Sequence, residues 1–425
     1  MTFETYDFDG SKLYCLKTTK FKTVLLSLRF IGAFSEATIN ERALLPEVLS
    51  GATRKLPSRQ KLQQHLDYLY GMELGTSTQK LGLQSIVSFD LGFLNEVFLP
   101  SPTDMLGEAF ALLGDVVFAP KLINGKFMKR LFEQEKRYLI EELEAEYHDK
   151  ASYCYQRIKK LMFPDELFRF SPRGELTTLS ALTGEMLLAA YRSLLDCDRR
   201  QLFAVGDFDT ERVRQLARRL LAPRKNQADI CWADRETKPL SGVNTVCESG
   251  DVNQSRLIVG YRTGIHPHDD LYYPLLVLNT ILGDSDQAKL FQTIREHGQL
   301  SYDIATTHIP DKGVIFVFAG VENGSETAVV EAIDRVIAEC DAATITDEEI
   351  RMAKEMLRKR VLESDDAIGA NLLRLFYDLC YHRRPVPLVE TIAKIDQVTL
   401  ADIVKAKDAL VKDTVYIYRN PGAGR

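Results

Sequence analysis

Side chains that bind metals or attack carbonyls are sparse in this chain. There are seven histidines. His266 and His268 flank Pro267 in a polar loop, and no third ligand stands near them in sequence. A zinc site needs three or four convergent ligands, so the pair reads as surface loop histidines. His65, His148, His297, His308 and His382 stand alone, mostly beside charged residues, and surface positions account for them. The seven cysteines are an odd number with no Cys-x-x-Cys pair. Several, such as Cys340 and Cys380, fall at apolar positions of helices or strands, as small reduced core residues do. No Gly-x-Ser-x-Gly elbow and no phosphate loop occurs, and Gly320-Val321-Glu322-Asn323-Gly324 reads as a turn. Glu133, Glu135, Glu141, Glu142, Glu144 and Glu146 crowd one segment with Lys129, Lys136 and Arg137. On spacing alone that is a solvated, ion-paired helix face. On chemistry alone the chain lacks a complete active site.

The elements that would position these residues form an α+β pattern. Thr23–Phe30 reads as a strand, followed by a helix from about Asn40 and a second over about 58–69, with Leu62, Leu66 and Leu69 on one face. Strands are expected at 72–79 and 85–91, and helices at 104–117, 124–146, 152–162 and 183–195. A strand at 201–207 and a helix at 210–221 close this half. Residues 223–243 are polar, contain two prolines and few large apolar residues, and form the expected linker. The order then restarts: a strand at 255–262, helices at 271–282 and 287–297, strands at 300–307 and 313–320, and helices at 326–340 and 346–365. A last strand covers 414–418. Gly71 and Gly298 each follow the second helix of their half, and the hairpins after them match at nearly that offset. The sequence therefore predicts an internal duplication: residues 1–222 and 244–425 as homologous domains, each an antiparallel-rich sheet packed with helices.

Composition narrows the partners. Hydrophobic residues make up 45% and charged residues 27% of 425 residues, as in a folded globular protein. The formal net charge of −6 argues against nucleic acid, which requires a basic surface. No apolar run approaches the roughly 18–20 residues of a membrane span. The acidic opening Met1–Asp7 does not resemble a secretory leader, so a cytoplasmic protein is expected.

Two duplicated α+β domains in this order resemble the pitrilysin/insulinase family of inverzincin metallopeptidases, which includes the mitochondrial processing peptidases. In that family a helix carrying His-x-x-Glu-His holds zinc, with the Glu as general base and a downstream Glu as third ligand. Here the corresponding helix reads Ala43-Leu44-Leu45-Pro46-Glu47. Ala43 and Glu47 stand at the two His positions, and Pro46 at the base. Glu135 and Glu142, seven apart, match the downstream pattern, with Glu142 at the third-ligand position. One carboxylate does not hold zinc, so Glu135 and Glu142 read as remnants with structural roles. The later segment Arg295-Glu296-His297-Gly298-Gln299-Leu300-Ser301-Tyr302 resembles the family's Arg-Glu-x-x-x-Leu-x-Tyr element. The resemblance implies that Arg295 and Tyr302 bind the substrate backbone and the developing oxyanion at a zinc site.

The expectation is a non-catalytic subunit of a heterodimeric zinc peptidase, inactive alone and holding no metal or cofactor. Zinc would sit in a homologous partner, Arg295 and Tyr302 would complete its site, and peptides would be processed or degraded there. The alternative is a structural scaffold subunit with the same fold and no role in proteolysis. A solitary peptidase with unfamiliar ligands is disfavoured, because no His/Glu cluster offers three convergent donors.

Overall fold

A computed structural model describes residues 2–221, 230–235, 240 and 242–421. Most of the expected linker, 223–229, 236–239 and 241, lies outside the described residues. The chain divides into two compact units. One comprises Met1–Ala145, Phe170–Trp232 and Asp365–Tyr377; the other comprises Glu146–Arg169, Ala233–Ser364 and Asp378–Arg425. Each unit thus includes a segment from the opposite half of the chain, which differs from the contiguous division at 222/244 expected from sequence.

The first unit is built on β1 (Thr2–Phe8), β2 (Ser11–Lys17), β3 (Thr23–Ala33), β4 (Glu73–Leu81), β5 (Gln84–Leu94) and, after a two-residue ribbon of β6 (Leu122–Ile123) and β7 (Lys126–Phe127), β8 (Arg199–Gly206). The six long strands form one sheet in the order β1-β2-β8-β3-β5-β4. Only the β2–β8 pair is parallel. The central strands β3 and β5 are buried on both faces, which is why they read as nearly continuous apolar runs. One face packs against α1 (Ile39–Leu49), α2 (Arg59–Tyr68), α3 (Met105–Phe118) and α4 (Lys129–His148), with Leu44, Leu66, Phe110 and Leu139 in the core. After α5 (Lys150–Met162), which belongs to the second unit, come the short α6 (Leu176–Leu179), α7 (Gly184–Cys197) and α8 (Thr210–Ala217). The other face of the sheet carries Arg29 and Phe203, which pack on Phe376.

The second unit has β9 (Asn244–Ser249), β10 (Ser255–Arg262), β11 (Ser301–Ile309), β12 (Val314–Val321) and β13 (Val411–Arg419). Their order is β11-β12-β10-β13-β9, with only β13–β9 parallel. This repeats β4-β5-β3-β8-β2 of the first sheet strand for strand, including the sense of every pair. The expected duplication is therefore visible in topology. One face buries α9 (Tyr272–Gly283), α10 (Glu326–Ala338) and α11 (Asp347–Glu363). The opposite face is covered by α5, whose Cys154, Ile158 and Met162 pack on Ile258, Phe316 and Tyr416. A Cβ on Gly260 would press on the thioether of Met162, so α5 packs closely over β10 at this glycine. The sequence did not suggest β1, β2 or the three helices α12 (Ile368–His382), α13 (Leu388–Gln397) and α14 (Leu400–Asp408). The helix expected from 124 begins at Lys129, because 122–127 forms the ribbon.

Asn40 does not cap α1. It is buried inside the helix, where its Oδ1 accepts from the Glu175 N–H at 2.8 Å and its Nδ2 donates to Thr178 Oγ1 at 2.8 Å. Pro46 lies well inside α1 and denies a helical donor to the carbonyl of Arg42. Thr78 on β4 supplies the missing donor: its hydroxyl bonds the Arg42 carbonyl at 3.1 Å. The helix survives its proline because a neighbouring strand satisfies the freed group.

Candidate functional site: a cleft without metal donors and an Arg/Tyr segment

The remnants of the zinc pattern do come together. In the first unit α1, α2, β4 and α4 enclose a cleft of about 680 Å³. Helix periodicity puts Ala43 and Glu47 on one face of α1, and both line it. So do Thr76, Ser77 and Thr78 of the edge strand β4, and Glu135 and Glu142 of α4. Thr76 Oγ1 donates to Glu47 Oε1 at 2.5 Å. Glu135 is buried, with 4% of its side chain exposed, and pairs with Arg59 of α2 at 2.9 Å. Burial pushes the Glu135 carboxyl above its ordinary pKa, Arg59 opposes that, and the negative charges of Glu47 and Glu142 reinforce it.

This donor set does not fit zinc. Ala43 has no ligand atom, Pro46 has no base, and no histidine lines the cleft. Among the described residues no group of three or more His, Cys, Asp or Glu is placed to hold a metal ion. Glu135, read from sequence as part of a solvated face, is in fact the buried member of the cleft. Sequence reasoning missed Arg59 and Thr78. Arg59 had one signal: a cation in the first turn of a helix, against the dipole, needs a carboxylate partner elsewhere.

Arg295 and Tyr302 lie in the second unit on a locally unusual stretch of backbone. Phe291–His297 is a widened π turn instead of the expected α-helix over 287–297. It closes when Gly298 N–H donates to the Thr293 carbonyl five residues back, at 3.0 Å. A Cβ on Gly298 would stand 2.8 Å from that carbonyl oxygen, so the closure requires glycine. Gln299 follows in the left-handed region at φ 51°. Then the β11–β12 register slips: Ser301 faces Val321 and Asp303 faces Gly320, leaving Tyr302 as the extra residue of a bulge. Bulges and π turns re-aim single side chains and are frequent at functional sites. Arg295 has a 43% exposed side chain, its guanidinium Cζ lies 4.6 Å from the Phe291 ring centroid, and it pairs with the adjacent Glu296 at 3.9 Å. Tyr302 is 54% exposed on the edge strand and makes no hydrogen bond among the described residues.

The histidines and cysteines correct other expectations. His266 is buried, with Nδ1 against the Pro310 carbonyl at 3.2 Å. Burial pushes His308 down to about 4. His268 is exposed, as expected of a loop histidine, and its ring meets that of the partly buried His382 edge to face at 5.9 Å. None of the seven cysteines forms a disulfide; Cys197, Cys231 and Cys247 are exposed rather than core residues.

Known proteins place the chain. It is 30% identical over 414 residues, 96% of each chain, to a probable inactive metalloprotease, YmfF, of Bacillus subtilis. The family model for the peptidase M16 inactive domain matches residues 181–357. The chain therefore belongs to the M16, pitrilysin-like, peptidase family. It is 26% identical to an uncharacterized zinc protease of Streptomyces coelicolor over 287 residues, 65% of this chain and 62% of the relative. A conserved protein of Enterococcus faecalis superposes over 100% of both chains with a TM-score of 0.93 at 25% identity. A peptidase M16 inactive domain from Pseudomonas fluorescens shares the fold at a TM-score of 0.81 and 16% identity, over 100% of both chains.

Proposed function

We propose that this chain is the non-catalytic subunit of a heterodimeric zinc peptidase, and that Arg295 and Tyr302 complete a zinc site carried by a homologous partner. One observation carries the proposal. Among the described residues the cleft at the motif positions has no metal donor set, while the Arg/Tyr segment exposes two donor side chains, neither of them in a hydrogen bond, on a π turn and a bulge. A guanidinium and a phenol are strong donors for a peptide carbonyl that gains negative charge. The partner supplies zinc, the attacking water and the general base. This chain supplies orientation and charge stabilisation, and the peptide lies extended along a sheet edge, main chain to main chain. Peptide processing or degradation in the cytoplasm is the corresponding role. Among the described residues no helix is long and apolar enough to cross a membrane.

The test is reconstitution. The chain is co-expressed with a homologue that carries an intact His-x-x-Glu-His, and the complex is isolated by size and assayed on unstructured peptides. The expected result is a stable heterodimer that cleaves peptides, while neither chain does so alone. A zinc-bearing homologue that is fully active without this chain would contradict the proposal. A stable complex whose turnover ignores Arg295→Ala would favour the scaffold alternative.

A further inference from the structure

We infer that the Arg59 guanidinium is the resident cation of the first unit's cleft: it occupies electrostatically the place that the family resemblance assigns to zinc, and it closes the cleft to metal. The inference is independent of Arg295 and Tyr302, which belong to the other unit.

The charges require a cation. Glu135 has 4% of its side chain exposed, and Glu47 and Glu142 line the same cleft. A carboxylate buried near two others is costly unless a positive charge stands beside it. Arg59 Nη2 lies 2.9 Å from Glu135 Oε2. A second guanidinium, Arg173, also lines the cleft, but the ion pair of the buried Glu135 is with Arg59, and two cations of α4 are engaged elsewhere. Lys136 donates to the carbonyls of Ser180 and Leu182, each at 2.8 Å, and Arg137 pairs with Glu141 at 3.6 Å. Helix formation does not explain Arg59 either, because it opens α2 at the positive end of the helix dipole and follows the capping Ser58. Its placement is explained by the carboxylate it meets. A divalent ion entering this cleft would bring its charge against the guanidinium of Arg59, which is itself 53% exposed but held at 2.9 Å by the buried Glu135. The loss of the zinc motif and the presence of Arg59 are then two halves of one exchange, a permanent cation for a removable one.

Metal content and melting temperature of the purified full-length chain test this. Ala43→His/Glu47→His adds two imidazoles one helical turn apart beside Glu142, nominally enough donors for an open zinc site. After zinc loading and gel filtration, this double variant should retain no stoichiometric zinc while Arg59 is present. With Arg59→Gln added, it should retain one zinc per chain. In parallel, Arg59→Gln alone should lower the melting temperature, and Glu135→Gln in that background should restore it, because the uncompensated charge is gone. Stoichiometric zinc on the double variant with Arg59 intact overturns the inference. So does its absence after Arg59→Gln, and so does an unchanged melting temperature in Arg59→Gln.

Discussion

The two units repeat one strand order, yet they diverge at the positions where chemistry would sit. In the first unit α1, β4 and α4 form a cleft, and its less exposed polar groups are engaged internally: Glu47 with Thr76, Glu135 with Arg59, and the Arg42 carbonyl with Thr78, while Glu142 stays exposed. In the second unit the stretch after α9 is loosened into a π turn and a bulge, and the two donors it presents are about half exposed and make no side-chain hydrogen bond among the described residues. A site that has lost its reaction becomes self-satisfied, because buried charges and freed carbonyls must find partners within the chain. A site that still awaits a ligand leaves its donors open to solvent and holds the backbone in costly conformations. The contrast separates the remnant from the part we propose still functions.

The largest expected effect is in the second unit. In the reconstituted complex, Tyr302→Phe should lower turnover about 10²-fold or more, the usual loss on removing one oxyanion donor, with unchanged heterodimer yield. Arg295→Lys should recover little of the activity lost in Arg295→Ala, since an ammonium cannot reproduce the planar fork. Steady-state kinetics beside analytical size exclusion separate these from assembly defects. Next comes Gly298→Ala. Its Cβ would meet the Thr293 carbonyl, so it should reduce stability by roughly 1–3 kcal/mol and reduce turnover as well. Chemical denaturation with a peptide assay would show both; loss of neither would mean that the π turn is not needed.

A smaller effect belongs to the first unit. Thr78→Val keeps the shape of the side chain but leaves the Arg42 carbonyl without its donor, and should reduce stability by about 1 kcal/mol. The same substitution should leave turnover of the complex unchanged; a large loss of activity would show that the first cleft still takes part.

The two units should also respond to acid in opposite senses. Burial raises the Glu135 pKa, so the folded state holds that proton more tightly than the unfolded chain. This carboxyl therefore costs stability once pH exceeds its folded value, and the cost lifts as pH falls toward the ordinary carboxylate range. His308 is depressed to about 4, so the folded state favours its neutral ring. Its contribution is lost as pH falls from the ordinary histidine value toward that figure. Relative to wild type, Glu135→Gln should melt with a stability gain that shrinks on acidification, and His308→Leu with one that grows. Melting curves at several pH values check both signs, and parallel profiles for the two variants would contradict them.

Much of this arrangement was legible in the sequence. The apolar strands β3 and β10 and the amphipathic α2 and α10 carry strong local patterns, and the repeat of their order revealed the duplication. The helix with Ala43, Pro46 and Glu47 and the segment with Arg295 and Tyr302 were found as motifs. What stayed hidden depends on long-range pairing. β1 is a half-exposed edge strand with no buried face to mark it. α5 and α12 look like ordinary amphipathic helices, and nothing local says which sheet each will cover. The π turn rests on the five-residue bond from Gly298 N–H to the Thr293 carbonyl, which side-chain spacing cannot distinguish from an α-helix. Arg59 meeting Glu135 joins residues 76 positions apart, and only its unfavourable place on the helix dipole hinted at it.

The most direct measurement is turnover by the heterodimer with Arg295→Ala in this chain, alongside its assembly and zinc content. The account predicts an intact complex with one zinc, contributed by the partner, and turnover lowered by about 10²–10³. Full activity in that complex, or zinc and peptide cleavage by this chain alone, would contradict it.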